Sequence, residues 1–155
     1  LEALGLLVGR QQEAEALATR VRTDLASLAA GCADSSRESV MVVLWDDPPM
    51  TAGGSTWMSQ LLEAACLANV FADVDTPWPT VSMEAVVARQ PHWLLTSRGD
   101  SAGTRLAQLR ADQGWARLEA VRQGRIIELD PDLLSRSGPA MAEWVRAVKG
   151  GRGDD

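Results

Sequence analysis

The residues best equipped for chemistry lie in "WDDPPMTAGGSTW", from Trp45 to Trp57, directly after the apolar run "VMVVLW". This stretch offers an acid pair, a glycine-rich turn and a tryptophan at each end. Asp46 and Asp47 are adjacent, so on an extended chain their carboxylates point in opposite directions and cannot share one site. A hydrolytic acid pair needs carboxyl groups several ångströms apart, usually from different elements, and turn chemistry accounts for Asp-Asp-Pro-Pro. "TAGGST" sets glycines between a strand and a helix, where backbone amides can meet an anion. It matches neither GxxxxGK[ST] nor GxGxxG. The one lysine of the chain is Lys149, so a P-loop is excluded.

Other catalytic sets fail on supply. His92 is the single histidine and opens the apolar run "HWLLTS", which makes it a core or strand-end residue, and no GxSxG elbow is present. Imidazole and thiolate are too few for a transition-metal site. Cys32 and Cys66 match no zinc or redox spacing. Cys66, inside "LLEAACLANVF", reads as a small buried hydrophobe; a disulfide between the two is possible but unsupported by the sequence, and the redox compartment stays open. Arg-Gly-Asp occurs at 98–100 and 152–154, which loop composition explains. With 21 acidic against 15 basic residues, a net charge of −6 and no basic run, nucleic acid is not a partner. No apolar stretch approaches the roughly 20 residues that span a bilayer. The chain begins with Leu1 and reads as a processed or excised piece, so the lack of a leader says nothing about compartment.

These residues must be positioned by alternating elements. Ala14, Leu17, Val21, Leu25 and Leu28 fall on one helix face, predicting a helix from residue 4 to about 29, roughly 35–40 Å long. Gly31 is its C-cap. Strands are expected at 40–45, in "NVF", in "HWLLTS" and in "RIIELD". Ser55 or Thr56 caps a helix to about Leu67, Ser82 caps "SMEAVVAR", and helical material over 103–124 breaks at Gly114. A loop follows "RIIELD", then a closing helix from about Pro139 and a flexible tail over 151–155. The fold class is α/β: a small, mostly parallel sheet flanked by helices, a Rossmann-like lobe over 31–150, preceded by a long helix over 1–30. Ligands of such sheets gather beyond the carboxyl ends of the strands, in the loops 46–55, 97–103 and 130–138.

What remains is binding. Six tryptophans against one phenylalanine and no tyrosine is a skewed aromatic set. Trp93, Trp115 and Trp144 read as core. Trp78 sits between prolines in "TPWPT", which restrict the backbone and hold the indole at a fixed attitude, a platform for a large planar ligand.

The order "WDDPPMTAG", "PWPTVSMEAVVARQPHWLL", "GWARLEAVRQGRIIELDPDLLSRSGP" resembles the C-terminal lobe of solute-binding proteins for ABC importers. The group is the one whose two α/β lobes are joined by a single long backbone helix and which handles cobalamin, haem and iron-siderophores. "PWPTVSMEAVVAR" is most similar to the vitamin B12-binding members. The resemblance implies that residues 1–30 are the inter-lobe backbone helix or part of it, and that an N-terminal lobe lies outside this chain. It places Trp78 against the corrinoid and Met50 at a wall position that is aromatic elsewhere, where a thioether still gives adaptable apolar contact. Asp132 and Arg136 match polar positions in the last cleft loop. Glu84 matches a glutamate that docks onto arginines of the membrane permease, and it is also an ordinary acid in a first helical turn. The implied protein is no enzyme and has no resident cofactor, since a cobalamin or related ligand carries its own chelated metal. It works outside the cytoplasm, periplasmic or lipid-anchored. An iron-siderophore or haem is the alternative ligand, with Arg98, Arg105 and Arg136 as its basic candidates; an α/β enzyme lobe is the lesser alternative.

Overall fold

The computed structural model describes residues 2–32, 37–99, 104–135 and 137–153. The strands in chain order are β1 (Glu38–Val43), β2 (Trp45–Asp46), β3 (Pro49–Met50), β4 (Leu67–Asn69), β5 (Trp93–Ser97) and β6 (Ile126–Leu129). β2 and β3 form a small antiparallel hairpin, and the other four build one parallel sheet in the order β4-β1-β5-β6. The helices are α1 (Glu2–Leu7), α2 (Gln11–Ala29), α3 (Trp57–Ala64), α4 (Met83–Arg89), α5 (Thr104–Ala111), α6 (Glu119–Gln123), α7 (Pro131–Ser135) and α8 (Met141–Arg152). A 3-10 turn, Trp115–Arg117, joins α5 to α6.

Both faces of the sheet are covered, which is why β1 reads as an unbroken apolar run. Val40, Met41, Val42 and Val43 are all at most 1% exposed. Alternate residues feed opposite cores, as the two-residue period of a strand requires. Val40, Val42 and Leu95 pack with Leu62 of α3 and Trp144, Val145 and Val148 of α8. Met41, Val43 and Leu94 pack with Val86 of α4, Leu109 of α5, and Trp115 and Val121 beyond it. Burying each such side chain contributes about 1.5–3 kcal/mol. Thr56 and Ser82 cap α3 and α4 by accepting from the amides of Ser59 and Ala85.

The chain runs from β1 outward to β4, then returns to the other side of β1 for β5 and β6. The strand order therefore reverses between β1 and β5, and loops leaving these two strands at their carboxyl ends diverge. That divergence opens the crevice where open α/β sheets bind ligands.

Four expectations are corrected. The first helix is two: Gly9 takes a left-handed φ of 71°, ending α1, and the chain doubles back so that α1 packs on α2. Gly5 permits this, because a Cβ there would lie 2.3 Å from the Ala14 Cβ. α2 alone, with 19 residues, is about 28 Å long. The loop after β6 contains α7. The tail expected from residue 151 is helical through Arg152, with Gly153 left-handed at the cap; residues 154 and 155 lie outside the described residues. Finally, Cys66 is not a free buried thiol. It is joined to Cys32 by a disulfide with a Cα–Cα distance of 5.0 Å, tying the end of α2 to the turn between α3 and β4. Lys149 secures the same helix end by donating to the Leu28 carbonyl at 2.6 Å.

Candidate functional site

The hairpin separates the two acids, as alternation demands. Asp46 forms a bidentate ion pair with Arg105 of α5, while Asp47 is exposed in the turn, where its carbonyl accepts from the Trp45 indole at 3.1 Å. The glycine stretch is not an anion cradle. The amides of Gly53 and Gly54 are already spent, donating to the carbonyls of Pro77 (2.9 Å) and Val74 (3.1 Å). A Cβ on Gly53 would lie 2.1 Å from the Thr76 oxygen, and one on Gly54 2.1 Å from the Ala72 oxygen. Glycine is required here because two backbones touch.

These bonds belong to a longer ladder. Thr51 donates to Pro79 at 3.1 Å, Val81 donates to Pro49 at 2.8 Å, and Met50 bridges Thr80. Ser55 holds the Asp75 carbonyl at 3.1 Å, and Asn69, at the end of β4, donates to the Ala52 carbonyl at 2.9 Å. The segment 49–56 and the loop 72–81 are thus zipped together. Pro79 is buried, and Trp78 stands 42% exposed on the outer side. The backbone on either side of Trp78 is held by these bonds through Pro77 and Pro79.

Met50 and Trp78 meet at one cavity of ≈ 390 Å³ beyond the carboxyl ends of β1 and β5. Leu44 and Ser97 form its floor at the switch point, Trp57 and Met58 come from α3, and Pro131, Leu134 and Ser135 from α7. Its wall is apolar with two hydroxyls. Trp57 stacks edge-to-face on buried Trp144, with centroids 6.2 Å apart at 72°, so its ring is oriented from behind. Sequence reasoning missed Trp57, Leu44 and Leu134. The tryptophan bracketing of the opening stretch was the available signal for Trp57.

Asp132 sits exposed on the first turn of α7, its amide donating to the Asp130 carboxylate at 2.9 Å. Its helix supplies the cavity wall through Pro131, Leu134 and Ser135. Arg136 lies outside the described residues. Glu84 is exposed in the first turn of α4. That helix is anchored at its other end by Arg89, which chelates Asp73 through two 2.8 Å bonds, donates to the Val70 carbonyl and lies 4.6 Å over the Phe71 ring. The Arg89 guanidinium holds the Asp73 carboxyl below the usual carboxylate range.

His92 is far from this chemistry in the fold. It opens β5 at the amino edge of the sheet, the opposite end from the cavity, where Glu38 takes its Nε2 at 3.0 Å and the Trp93 indole at 2.7 Å. Among the described residues no three His, Cys, Asp or Glu side chains are grouped to hold a metal ion. Of the two Arg-Gly-Asp runs, Arg98 is exposed after β5, whereas Arg152 is turned onto the carbonyls of Ala65 and Cys66 at 3.1 and 3.3 Å. Asp100 and Asp154 lie outside the described residues. Among the described residues no helix is long and apolar enough to cross a membrane.

An apolar hollow at a switch point, walled by rigid aromatics, is a place to hold a ligand, and the chain's relatives do that. Over 152 residues it is 30% identical to the uncharacterized ABC transporter substrate-binding lipoprotein YvrC of Bacillus subtilis (strain 168), matching 96% of this chain and 47% of that protein. It is 31% identical over 123 residues to a vitamin B12-binding protein of Vibrio parahaemolyticus, matching 76% and 42% of the two chains. The fold superimposes with a TM-score of 0.80 and 26% identity on the crystal structure of a possible iron-binding (periplasmic solute-binding) protein of Staphylococcus epidermidis ATCC 12228, covering 99% of this chain and 58% of that one. The chain spans about half the length of the curated relatives it matches. These relatives are solute-binding proteins and not enzymes. Residues 1–133 match the family described as periplasmic binding protein, and the chain belongs to that family.

Proposed function

We propose that this chain is the ligand-binding lobe of an extracytoplasmic solute-binding protein that delivers a cobalamin-type ligand to an ABC importer. The observation that carries the reading is the preformed cavity between Met50, Trp78 and Trp57. A flat, uncharged metal chelate presents a large face to rigid apolar groups and needs only sparse polar contacts at its rim. Trp78 supplies the platform, and Met50 supplies adaptable apolar contact beside it. Asp132 and Arg136 meet the amide-rich rim. No resident cofactor takes part, because the ligand brings its own chelated metal. A second lobe closes over the open side, and Glu84, standing clear on α4, orients the receptor on arginines of the permease. The Cys32–Cys66 disulfide supports an oxidising compartment outside the cytoplasm.

A second reading keeps the fold and role but changes the ligand to an iron-siderophore or haem; likeness to the Staphylococcus epidermidis protein favours it. Calorimetric titration of the two-lobed receptor with cyanocobalamin, with ferric siderophores and haem as competitors, decides between them. The corrinoid is expected to bind with submicromolar Kd. Submicromolar binding of an iron chelate, with none of cyanocobalamin, overturns the corrinoid reading.

A further inference from the structure

The cavity walled by Met50 and Trp78 does not end at Leu44 and Ser97. These two residues also border a second basin of ≈ 440 Å³ on the α5 side, where Asp46, Asp47, Arg105 and Gln108 join Ser97 as polar groups. Trp45 stands at the lip, 64% exposed. Among the described residues bordering the two basins, Arg105 is the one cation. A cation here would normally recruit a carboxylate-bearing chelate. Three of its five N–H donors, and its charge, are already engaged, however. Both terminal nitrogens engage the Asp46 carboxylate, and Nε donates to the Thr96 hydroxyl at 3.3 Å. That hydroxyl in turn donates to the Val43 carbonyl at 3.3 Å. The Arg105 side chain is 13% exposed and the Asp46 side chain 39%, so the face turned to the basin is the acid.

We propose that Asp46 sets the charge selectivity of this basin: by occupying Arg105 it withholds that cation, so the α5 side of the cleft takes an uncharged part of a metal chelate in preference to an anionic one. An anionic ligand must displace the Asp46 carboxylate from a partner it grips in two places, and must approach Asp47 as well. An uncharged ligand meets no such repulsion, and its amide or hydroxyl groups find the Gln108 side chain and the Ser97 hydroxyl. The same pair also ties the β2–β3 hairpin to α5 across 59 residues of sequence. That duty affects stability; only the gating role affects the order of ligand preference.

This inference rests on reading the cleft as a chelate site, since it names which chelates enter. The test uses the two-lobed receptor with cyanocobalamin as the uncharged probe and haemin, whose propionates are ionised, as the anionic one. Asp46→Asn is near-isosteric and frees the charge of Arg105; Asp46→Ser repeats the test with a smaller side chain, and thermal melts verify that each variant is folded. Haemin affinity is expected to rise roughly tenfold to a hundredfold, the range of one charge-assisted hydrogen bond, and to fall again with added salt. Cyanocobalamin affinity should move by less than about threefold, well inside one hydrogen bond. In Asp46→Asn/Arg105→Gln the haemin gain should vanish. Unchanged haemin affinity in both single variants, or a gain that persists without Arg105, overturns the proposal. Failure of the unsubstituted receptor to bind cyanocobalamin overturns the corrinoid reading instead, and the haemin comparison still decides the role of Asp46.

Discussion

Removing the Cys32–Cys66 disulfide should cost this chain a large share of the stability usual for one domain, about 5–15 kcal/mol. The bond closes a loop of 34 residues. On the chain-entropy relation that loop restricts the unfolded ensemble by about 13 cal/mol/K, or ~3.8 kcal/mol at 25 °C. The described part of the loop contains β1, the hairpin, the ladder segment and α3, so the bond encloses much of the cavity wall. For 155 residues each kcal/mol corresponds to roughly 2–4 °C in Tm, which predicts a fall of about 8–15 °C. The assay is urea unfolding of the oxidised protein beside Cys32→Ala/Cys66→Ala, followed by tryptophan fluorescence, with thiol titration and intact mass verifying the bond. A refinement uses the backbone. Cys66 has a φ of 58°, a left-handed conformation unfavourable for a residue with a Cβ. Cys32→Ala/Cys66→Gly should therefore recover about 1 kcal/mol over the double alanine variant. Equal unfolding midpoints for the oxidised and alanine proteins would refute the loop-closure argument, and two titratable thiols in the oxidised protein would refute the bond.

The remaining expectations concern the cavity wall and its supports. Gly53→Ala forces a Cβ to within 2.1 and 2.6 Å of two backbone oxygens, so the ladder must part, at about 2–4 kcal/mol in urea unfolding; Gly99→Ala, with nothing within 4 Å, is the neutral control. Trp78→Ala should weaken cyanocobalamin binding by the two-lobed receptor about thirtyfold, the scale of one aromatic hot spot, while leaving the fold intact, because the ring is already 42% exposed. Asp73 titrates below the ordinary carboxylate range because of Arg89, so its contribution is fully present above the unfolded value of about 3.9 and is lost as pH falls through the lower folded value. The urea midpoint of Asp73→Asn should therefore lie below that of the unsubstituted protein at neutral pH and converge with it in acid, the gap staying small and shrinking with salt because the pair is exposed. Glu84→Arg should reduce uptake by the complete transporter without altering ligand affinity; undiminished uptake sinks the docking assignment.

How much of this was legible beforehand follows from the range over which each decision is made. Strand β1 and the caps Thr56 and Ser82 are local matters, written in runs of apolar residues and in hydroxyls placed before helices. The place of Trp78 on the cavity border was hinted at locally, by the prolines on either side that keep it in a loop. Gly9 was not, since a glycine between two helical patterns reads equally as a tolerated interior residue or a stop; the Gly5–Ala14 contact across the turn decides it. The disulfide depends on where α2 and α3 end in space. The Asp46–Arg105 pair spans the sheet, and Trp57 joins the wall only because Trp144 of the last helix sets its ring. Composition records none of these meetings.

The glycines illustrate the difference between a site's ingredients and its construction. In sequence, "TAGGST" between a strand and a helix suggests amides aimed at an anion. In the fold those amides face the 72–81 loop, and their hydrogen bonds hold Trp78 and Met50 on one wall before any ligand arrives. A wall ordered in advance spares the ligand the entropy of ordering it, commonly about 0.5–1.5 kcal/mol per immobilised side chain. On the proposed reading, affinity then comes from the apolar faces themselves, and the paired charges of Asp46 and Arg105 would select among ligands of similar shape.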